Sequence, residues 1–429
     1  MRMVVEVEAE LTGRTLAEFE SELMGQLRMQ LGPVVAKAVA EVAGRVPVGL
    51  CPSCGGRRER RGRDVRQVVG LFGAVALQRN RVRCLDCGSN GYPADEQLGL
   101  EAGERYTLGV AEAALWLATE SSYAKAAGTT KHLLGVEISH GQVHRLAQRE
   151  GKLVDRALEE QRETVFGLGK RAELAKLAEQ GPRPERVVVQ ADGTFVNDRA
   201  TGSEMEAKAG IVYQGVATVS KGRRVLLGKR TYGGVESMAR FGEKLAILAA
   251  QQGAFRAREL WFVSDGSSAL RRLQRAYFPT AVAFLDLWHL EHRLAQALGM
   301  EAAGVSLPPL LKLAREGDVD KLLAALAECR EAAGADLDRR QRLTVEMEYV
   351  RANRQGIANY ALHGPQASGA IEKAMDVTVG RRLKAQGTSW YRLGAHHLLT
   401  LRILKQNGGW QRYWQARRSR SPLLPARQF

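Results

Sequence analysis

No stretch of this 429-residue chain approaches the roughly 18 consecutive apolar residues that a membrane-spanning helix needs. The N-terminus, Met1-Arg2-Met3-Val4-Val5-Glu6-Val7-Glu8, alternates apolar and acidic residues and lacks the apolar core of a secretion signal. A cytoplasmic protein without membrane contact is therefore expected. Cysteine is scarce. The five present are an odd number, which in a cytosolic chain argues against a disulfide framework. Acidic residues are missing from one whole region: Arg381 to Phe429 holds 11 Lys/Arg and no Asp or Glu.

What is present points to a globular protein with a polyanionic partner. Apolar residues make up 45% of the chain, enough for roughly two to four domains with proper cores. The net charge is +16, and the acid-free C-terminal region supplies most of it. A second basic cluster is Arg57, Arg58, Arg60, Arg61, Arg63 and Arg66, joined by Arg79, Arg81 and Arg83. One such cluster alone is as readily a solvated surface. Two of them flanking a candidate metal site favour binding of nucleic-acid phosphates.

The chain divides by pattern. Residues 1–50 read as a helical region, with Leu16, Phe19, Leu23, Leu27 and Leu31 at helical spacing, either core or a partner-helix surface. Residues 51–105 hold Cys51-Pro52-Ser53-Cys54-Gly55-Gly56 and Cys84-Leu85-Asp86-Cys87-Gly88, with two strand-like runs between them. Two thiolate pairs, each followed by glycine, at the ends of a hairpin suit a structural zinc held by four sulfurs, a zinc-ribbon-like module. The competing reading is a chance pair of reduced Cys-x-x-Cys motifs. Cys329, in an Ala/Leu-rich helical stretch, reads as a small buried apolar residue.

Residues 106–183 read as helices over Leu108–Glu120, Tyr123–Leu134 and His140–Glu150, then a charged helix ending at Gly181-Pro182. The first three resemble a helix-turn-helix in which Gln142, Arg145 and Arg149 face DNA, against the alternative of an ordinary helical hairpin. His140 and His144 lack a further ligand nearby and read as polar surface.

The segment 184–289 changes character. Strands are expected to end at Asp192, to run near Ala207–Gln214 and on toward Ser220, and to span Arg224–Tyr232. A helix over Val235–Gln252 follows, then a strand Leu260–Ser264 before Asp265, a short helix, and a strand Ala281–Leu285 before Asp286. Three strands on short turns followed by alternating helix and strand is the ribonuclease H order, a mixed sheet with its acids at the carboxyl edge. The fold class expected is thus multidomain α+β. Residues 290–362 read as an α-helical insertion, 363–405 as the Glu372-bearing helix and the helix after it, and 406–429 as a basic tail.

Two strand-end aspartates and one helical glutamate can converge on two divalent ions. Hard Mg²⁺ or Mn²⁺ prefers carboxylates, and a metal pair activates the attacking oxygen and stabilises the leaving one in phosphodiester cleavage. Asp192 would bridge the metals, Asp265 hold one and Glu372 the other. Singly, each has a plainer reading: an aspartate at a strand end is most often a turn former or cap, and helices carry many exposed glutamates. Asp376, one turn after Glu372, is a rival. Arg381, Arg382 and Lys384 are expected to project outward and clamp phosphates near the metals. Trp390 would stack on an unpaired base, with ordinary packing an equal alternative.

From about residue 187 to 405 the chain resembles the catalytic domain of bacterial insertion-sequence DDE transposases of the mutator-like group. The resemblance rests on Ala191-Asp192-Gly193-Thr194, Val263-Ser264-Asp265-Gly266, Asp286-Leu287-Trp288-His289, and Ser368-Gly369-Ala370-Ile371-Glu372, then Arg381-Arg382-Leu383-Lys384 and Gly387-Thr388-Ser389-Trp390. It implies that Asp192, Asp265 and Glu372 are the catalytic triad, with accessory roles for Asp286 and His289. It also implies the double-stranded DNA of element ends and target as substrate, a homodimer or larger assembly on DNA, and association with the nucleoid when bound. A nuclease or resolvase that cuts without joining, and a domesticated DNA-binding protein, are the alternatives.

Overall fold

The computed structural model describes residues 6, 8–167, 171–363 and 369–419. Ser368 of the Glu372 segment, most of the N-terminal Met1–Glu8 stretch and the tail beyond Ser419 lie outside these. Two compact units emerge. One takes the described residues up to Ala147 and from Gln411 onward, and the other runs from Gln148 to Trp410.

The first unit opens with helix α1 (Leu16–Gly44), whose Thr15 and Glu18 form a reciprocal capping box. Strands β1 (Arg58–Gly70) and β2 (Gly73–Cys84) form a long antiparallel hairpin, and β3 (Asn90–Gly91) adds a short edge. Short helix α2 (Pro93–Leu98) follows, then α3 (Leu108–Ala118), α4 (Tyr123–Leu134) and the start of α5 (His140–Phe166). Both hairpin strands extend well beyond the apolar runs that suggest them. Their outer halves are arginine-rich, and backbone pairing rather than side-chain hydropathy carries them. Ala43, Val46, Val68, Leu77 and Ala94 form the core beneath. Helix α5 runs a further sixteen residues past Glu150, because Val154, Leu158 and Val165 continue its apolar face.

The second unit holds α6 (Arg171–Glu179) and strands β4 (Arg186–Asn197), β5 (Glu204–Tyr213), β6 (Gly215–Ser220), β7 (Arg223–Leu227) and β8 (Arg230–Gly234). Then come α7 (Met238–Gln251), β9 (Glu259–Ser264), α8 (Ser268–Tyr277) and β10 (Val282–Leu285). The helices α9 (Leu287–Leu298), α10 (Met300–Glu316), α11 (Val319–Ala332), α12 (Leu337–Ala352) and α13 (Arg354–His363) follow. Next are α14 (Ala370–Met375), a π-helical turn Asp376–Gly380, α15 (Arg381–Leu383) and α16 (Arg392–Gln406); α17 (Trp410–Ser419), which closes the described chain, belongs from Gln411 onward to the first unit.

Five strands form one mixed sheet in the order β10-β9-β4-β5-β8. β5 is antiparallel to both neighbours, while β9 and β10 run parallel to β4. The sheet is covered on both faces, which explains its near-continuous apolar runs. Val188, Trp261, Val263 and Phe284 pack under the helices that follow β10. Val187, Val189, Ala191, Leu260 and Phe262 pack under α7 and α8. The expected second and third strands are each broken. β5 stops at Tyr213, and β6 and β7 leave the sheet as a separate two-stranded ribbon before β8 rejoins it. The burial pattern gives the reason: β5 is buried almost throughout, whereas the ribbon is largely exposed. β4 also continues past Asp192 to Asn197, held by its antiparallel pairing with β5.

Candidate functional site

Register brings three aspartates together. Ala191 of β4 pairs with Ser264 of β9, and Ser264 pairs with Leu285 of β10. Asp192, Asp265 and Asp286 each lie one residue beyond this rung. All three share the side-chain parity of Val188, Val263 and Phe284, so they project to the face covered by α9 and α14. Those helices deliver His289 and Glu372. His289 Nδ1 lies 3.3 Å from both Asp286 Oδ2 and Glu372 Oε1. Ligand-capable atoms of Asp286, His289 and Glu372 all fall within 4.8 Å of one another. The tightest grouping thus joins Glu372 to the two residues assigned accessory roles, with Asp192 and Asp265 beside it.

Each side chain is held from outside the cluster. Asp286 is buried and caps α9, accepting from Trp288 N at 3.0 Å. Asp192 Oδ1 accepts from Gly193 N at 2.7 Å, and Asp265 Oδ1 from Ser267 N at 2.8 Å. The Tyr349 hydroxyl donates to the Asp265 carbonyl. Arg271 Nη1 donates to Gly266 O at 2.8 Å and to Asn353 Oδ1 at 3.0 Å. Gly266 has φ +72°, and a Cβ there would meet Asn353 Oδ1 at 2.4 Å, so the turn after Asp265 admits only glycine. Tyr349, Asn353 and Arg271 are the supports that sequence reasoning misses. Only the Asp-Gly-Ser turn hints at them.

The electrostatics record crowded negative charge. Burial raises the Asp192 carboxyl, and the neighbouring Asp265 and Asp286 add to this. Burial and Asp286 likewise raise Glu372. Burial opposes charge on His289, but Asp286, Glu372 and Asp192 outweigh it and hold the imidazole at about 10. Asp286 stays below its usual value despite burial, because His289, Glu372 and the Trp288 N–H favour its anion. Both Glu372 carboxylate oxygens are buried: Oε1 has the His289 contact at 3.3 Å, and Oε2 accepts no hydrogen bond. A divalent cation fits this donor set: it would occupy those oxygens and neutralise the crowding.

Asp376 faces away, half-exposed and paired with Arg381 at 3.0 Å. Arg402, almost wholly buried, donates to Val377 O and Thr378 O, carbonyls that the π turn releases from regular helical bonding. Among the residues expected to clamp DNA, Arg381 and Lys384 are exposed, with Lys384 Nζ 3.0 Å from Thr194 Oγ1. Arg382 departs from its expected outward course. It is buried with its guanidinium 4.8 Å over the Trp390 ring. Trp390 is buried too and donates Nε1–H to Leu383 O at 3.1 Å, so packing, not an open stacking platform, describes it. Arg381 starts the last turn, which turns its neighbour Arg382 onto the inward face.

In the first unit, Gly135 (φ +64°) ends α4, and the Ser139 hydroxyl accepts from Gln142 N at 3.2 Å at the start of α5. Gln142 and Arg145 contact one another at 3.1 Å on the accessible side of α5. Arg149 is drawn instead to the buried Glu150, 2.8 Å away. On the β1–β2 hairpin, Arg58, Arg66 and Arg79 are tied inward to Glu96 and Asp95, while Arg57, Arg60, Arg61, Arg63, Arg81 and Arg83 are exposed. The hairpin's base holds the four cysteines. Cys51 Sγ lies 3.7 Å from Cys87 Sγ and Cys54 Sγ 3.6 Å from Cys84 Sγ, with all four sulfurs within 4.8 Å of one another. A tetrahedron with Zn–S of about 2.3 Å has sulfurs roughly 3.8 Å apart, so this cluster can hold zinc. Gly55 and Gly88, at φ +74° and +71°, close the two turns. The Ser89 hydroxyl is the largest cause that lowers both Cys51, to about 6, and Cys87. Cys54 goes the other way, to about 12: the Gly56 N–H favours its thiolate, but the neighbouring sulfurs of Cys87 and Cys84 outweigh it. Cys329 is free and half-buried.

Among the described residues, no helix is long and apolar enough to cross a membrane. A Streptococcus gallolyticus protein described as "UPF0236 protein in vanSb 3'region" is 24% identical over 414 residues, covering 94% of this chain and 86% of that protein. The uncharacterised protein family UPF0236 matches residues 17–419, and the chain belongs to that family.

Proposed function

We propose that this chain is a DNA transposase of the DDE type, similar to the mutator-like group, built on a ribonuclease H-like core. The observation that carries the reading is the cluster of Asp286, His289 and Glu372, with Asp192 and Asp265 one residue past the same rung of neighbouring strands, at the carboxyl edge of a mixed sheet in which β5 alone runs antiparallel. Asp192, Asp265 and Glu372 would hold Mg²⁺ or Mn²⁺, and Asp286 is close enough to share that task. Bound there, such ions activate an attacking oxygen and stabilise a leaving one.

The chain's own groups do the rest. His289 is fixed by Asp286 and presents an imidazole N–H beside the carboxylates, a donor suited to a phosphate oxygen. Lys384, exposed and 3.0 Å from Thr194 Oγ1 two residues beyond Asp192, offers a cation beside the cluster. The exposed arginines of the β1–β2 hairpin and the α4–α5 pair supply phosphate and groove contacts for element ends. The four cysteines would hold a structural zinc that fixes the hairpin base. Joining two ends calls for a dimer or larger assembly on DNA.

The test is an assay of cleavage and strand transfer with Mg²⁺ or Mn²⁺ on the DNA that flanks the chain's own gene, with Asp192→Asn as control. Nicked ends plus joined products, both absent in the variant, are expected. Cleavage without joining would identify a nuclease, and tight binding without cleavage a DNA-binding derivative.

A further inference from the structure

A cleft of about 420 Å³ adjoins the acidic cluster in the second unit. Its floor is the edge strand β10. One wall is α8, with Arg271, Gln274 and Arg275, and the other is the α12–α13 turn, with Ala352, Gln355 and Asn359. Ser264 and Gly266, the residues on either side of Asp265, also line it. The size falls in the range of about 300–1,000 Å³ typical of small-ligand sites.

Its chemistry is selective. No lining residue is acidic, and two are arginines. Arg271 is anchored to Gly266 O and Asn353 Oδ1. Arg275 is exposed and has no carboxylate partner among the described residues. Gln355 donates to Asn359 Oδ1 at 2.8 Å and Asn359 donates to Ala283 O at 2.7 Å, so the amides are ordered rather than loose. Guanidinium groups suit a phosphate, ordered amides suit the edge of a base, and the Val282 and Ala283 floor suits a base face. The cleft lies between two helices over a single strand.

We infer that this cleft receives one unstacked nucleotide of the DNA strand that enters the acidic cluster, next to the phosphate to be cut. The inference rests on the DNA-processing reading above. Arg275 holds the nucleotide's phosphate, and Gln274 and Gln355 border its base. Unstacking at the end being cut would fix the scissile phosphate over Asp265 by holding the nucleotide beside it.

The experiment uses the full chain with Ca²⁺ in place of Mg²⁺ and two duplexes of one sequence, fully paired or carrying a single bulged 2-aminopurine. The bulged duplex should bind about tenfold more tightly, the size of one charge-assisted contact, with a change in 2-aminopurine emission. Arg275→Ala and Ala352→Trp, both at exposed positions of the rim, should each abolish that preference and leave affinity for the paired duplex within about threefold. Equal affinity for the two duplexes, or a preference that survives both variants, overturns the assignment. So does Arg275-dependent binding of free dAMP that is tighter than binding of the bulge, which would make the cleft a site for free nucleotides. Cleavage with Mg²⁺ but no bulge preference sinks only the cleft. Failure to bind either duplex sinks the DNA-processing reading with it.

Discussion

The two clusters able to hold metal among the described residues are opposites in construction. The four cysteines come from two short segments at the ends of one hairpin and approach a closed tetrahedron of soft ligands. The acidic cluster draws on β4, β9, β10, α9 and α14, spans residues 192 to 372, and offers hard oxygens, among them a Glu372 Oε2 that accepts no hydrogen bond. A closed thiolate shell leaves no position for substrate and serves stability. A crowded carboxylate site costs stability until a cation neutralises it.

Stripping metal should separate them most sharply. Removal of zinc with a strong chelator, or Cys84→Ser, should cost on the order of 10 kcal/mol of local folding free energy and melt the hairpin. Calorimetry together with zinc stoichiometry checks this, and a first unit that keeps its structure without zinc would break the contrast. At the acidic cluster the signs reverse. Glu372→Gln or Asp192→Asn should lower strand cleavage roughly a thousandfold while leaving the melting temperature unchanged or raised, because each removes a buried like charge. An unfolded variant would mean that the carboxylates are structural.

Smaller effects refine the surroundings. Trp390→Ala should destabilise the second unit by roughly 3 kcal/mol, because the ring packs against Arg382 and lies buried. A loss of DNA affinity with no loss of stability would instead restore a stacking role. The smallest expected effect concerns Asp155. Burial opposes its anion, but His396 Nε2 at 2.9 Å and Lys244 at 3.4 Å outweigh burial and hold it at about 2, below the usual 3.8. A depressed folded-state value stabilises above the unfolded value and is lost on acidification. About 2 kcal/mol should therefore disappear between pH 4 and pH 2. Asp155→Asn should flatten that part of the stability profile measured by urea unfolding.

Much of this arrangement is legible in the residues. The Cys-x-x-Cys pairs with their glycines announce themselves, because ligand and turn lie within four residues of one another. The runs Val187–Val189 and Leu260–Ser264 announce buried strands, and an acid follows each within three residues. The course of Arg382 and Trp390 was not legible. Helical and loop residues beside a π turn have no fixed periodicity, so which of Arg381, Arg382 and Lys384 turns inward depends on what lies beneath. The departure of β6 and β7 from the sheet was hidden for a similar reason: Val216, Val225 and Leu226 carry strand propensity whichever sheet they join.

The sequence by itself marked the buried runs Val187–Val189 and Leu260–Ser264, the hairpin's thiolate pairs and the two stretches rich in Lys and Arg, since each depends on neighbours a few residues apart. Only the tertiary structure decided that Asp286 and His289 sit closest to Glu372, that Asp376 turns away, and that Tyr349 and Asn353 brace Asp265. Those outcomes follow from the register of parallel strands and from helices far along the chain packing on one sheet face. Contacts of that kind are set by the closing of the core, and no local pattern encodes them.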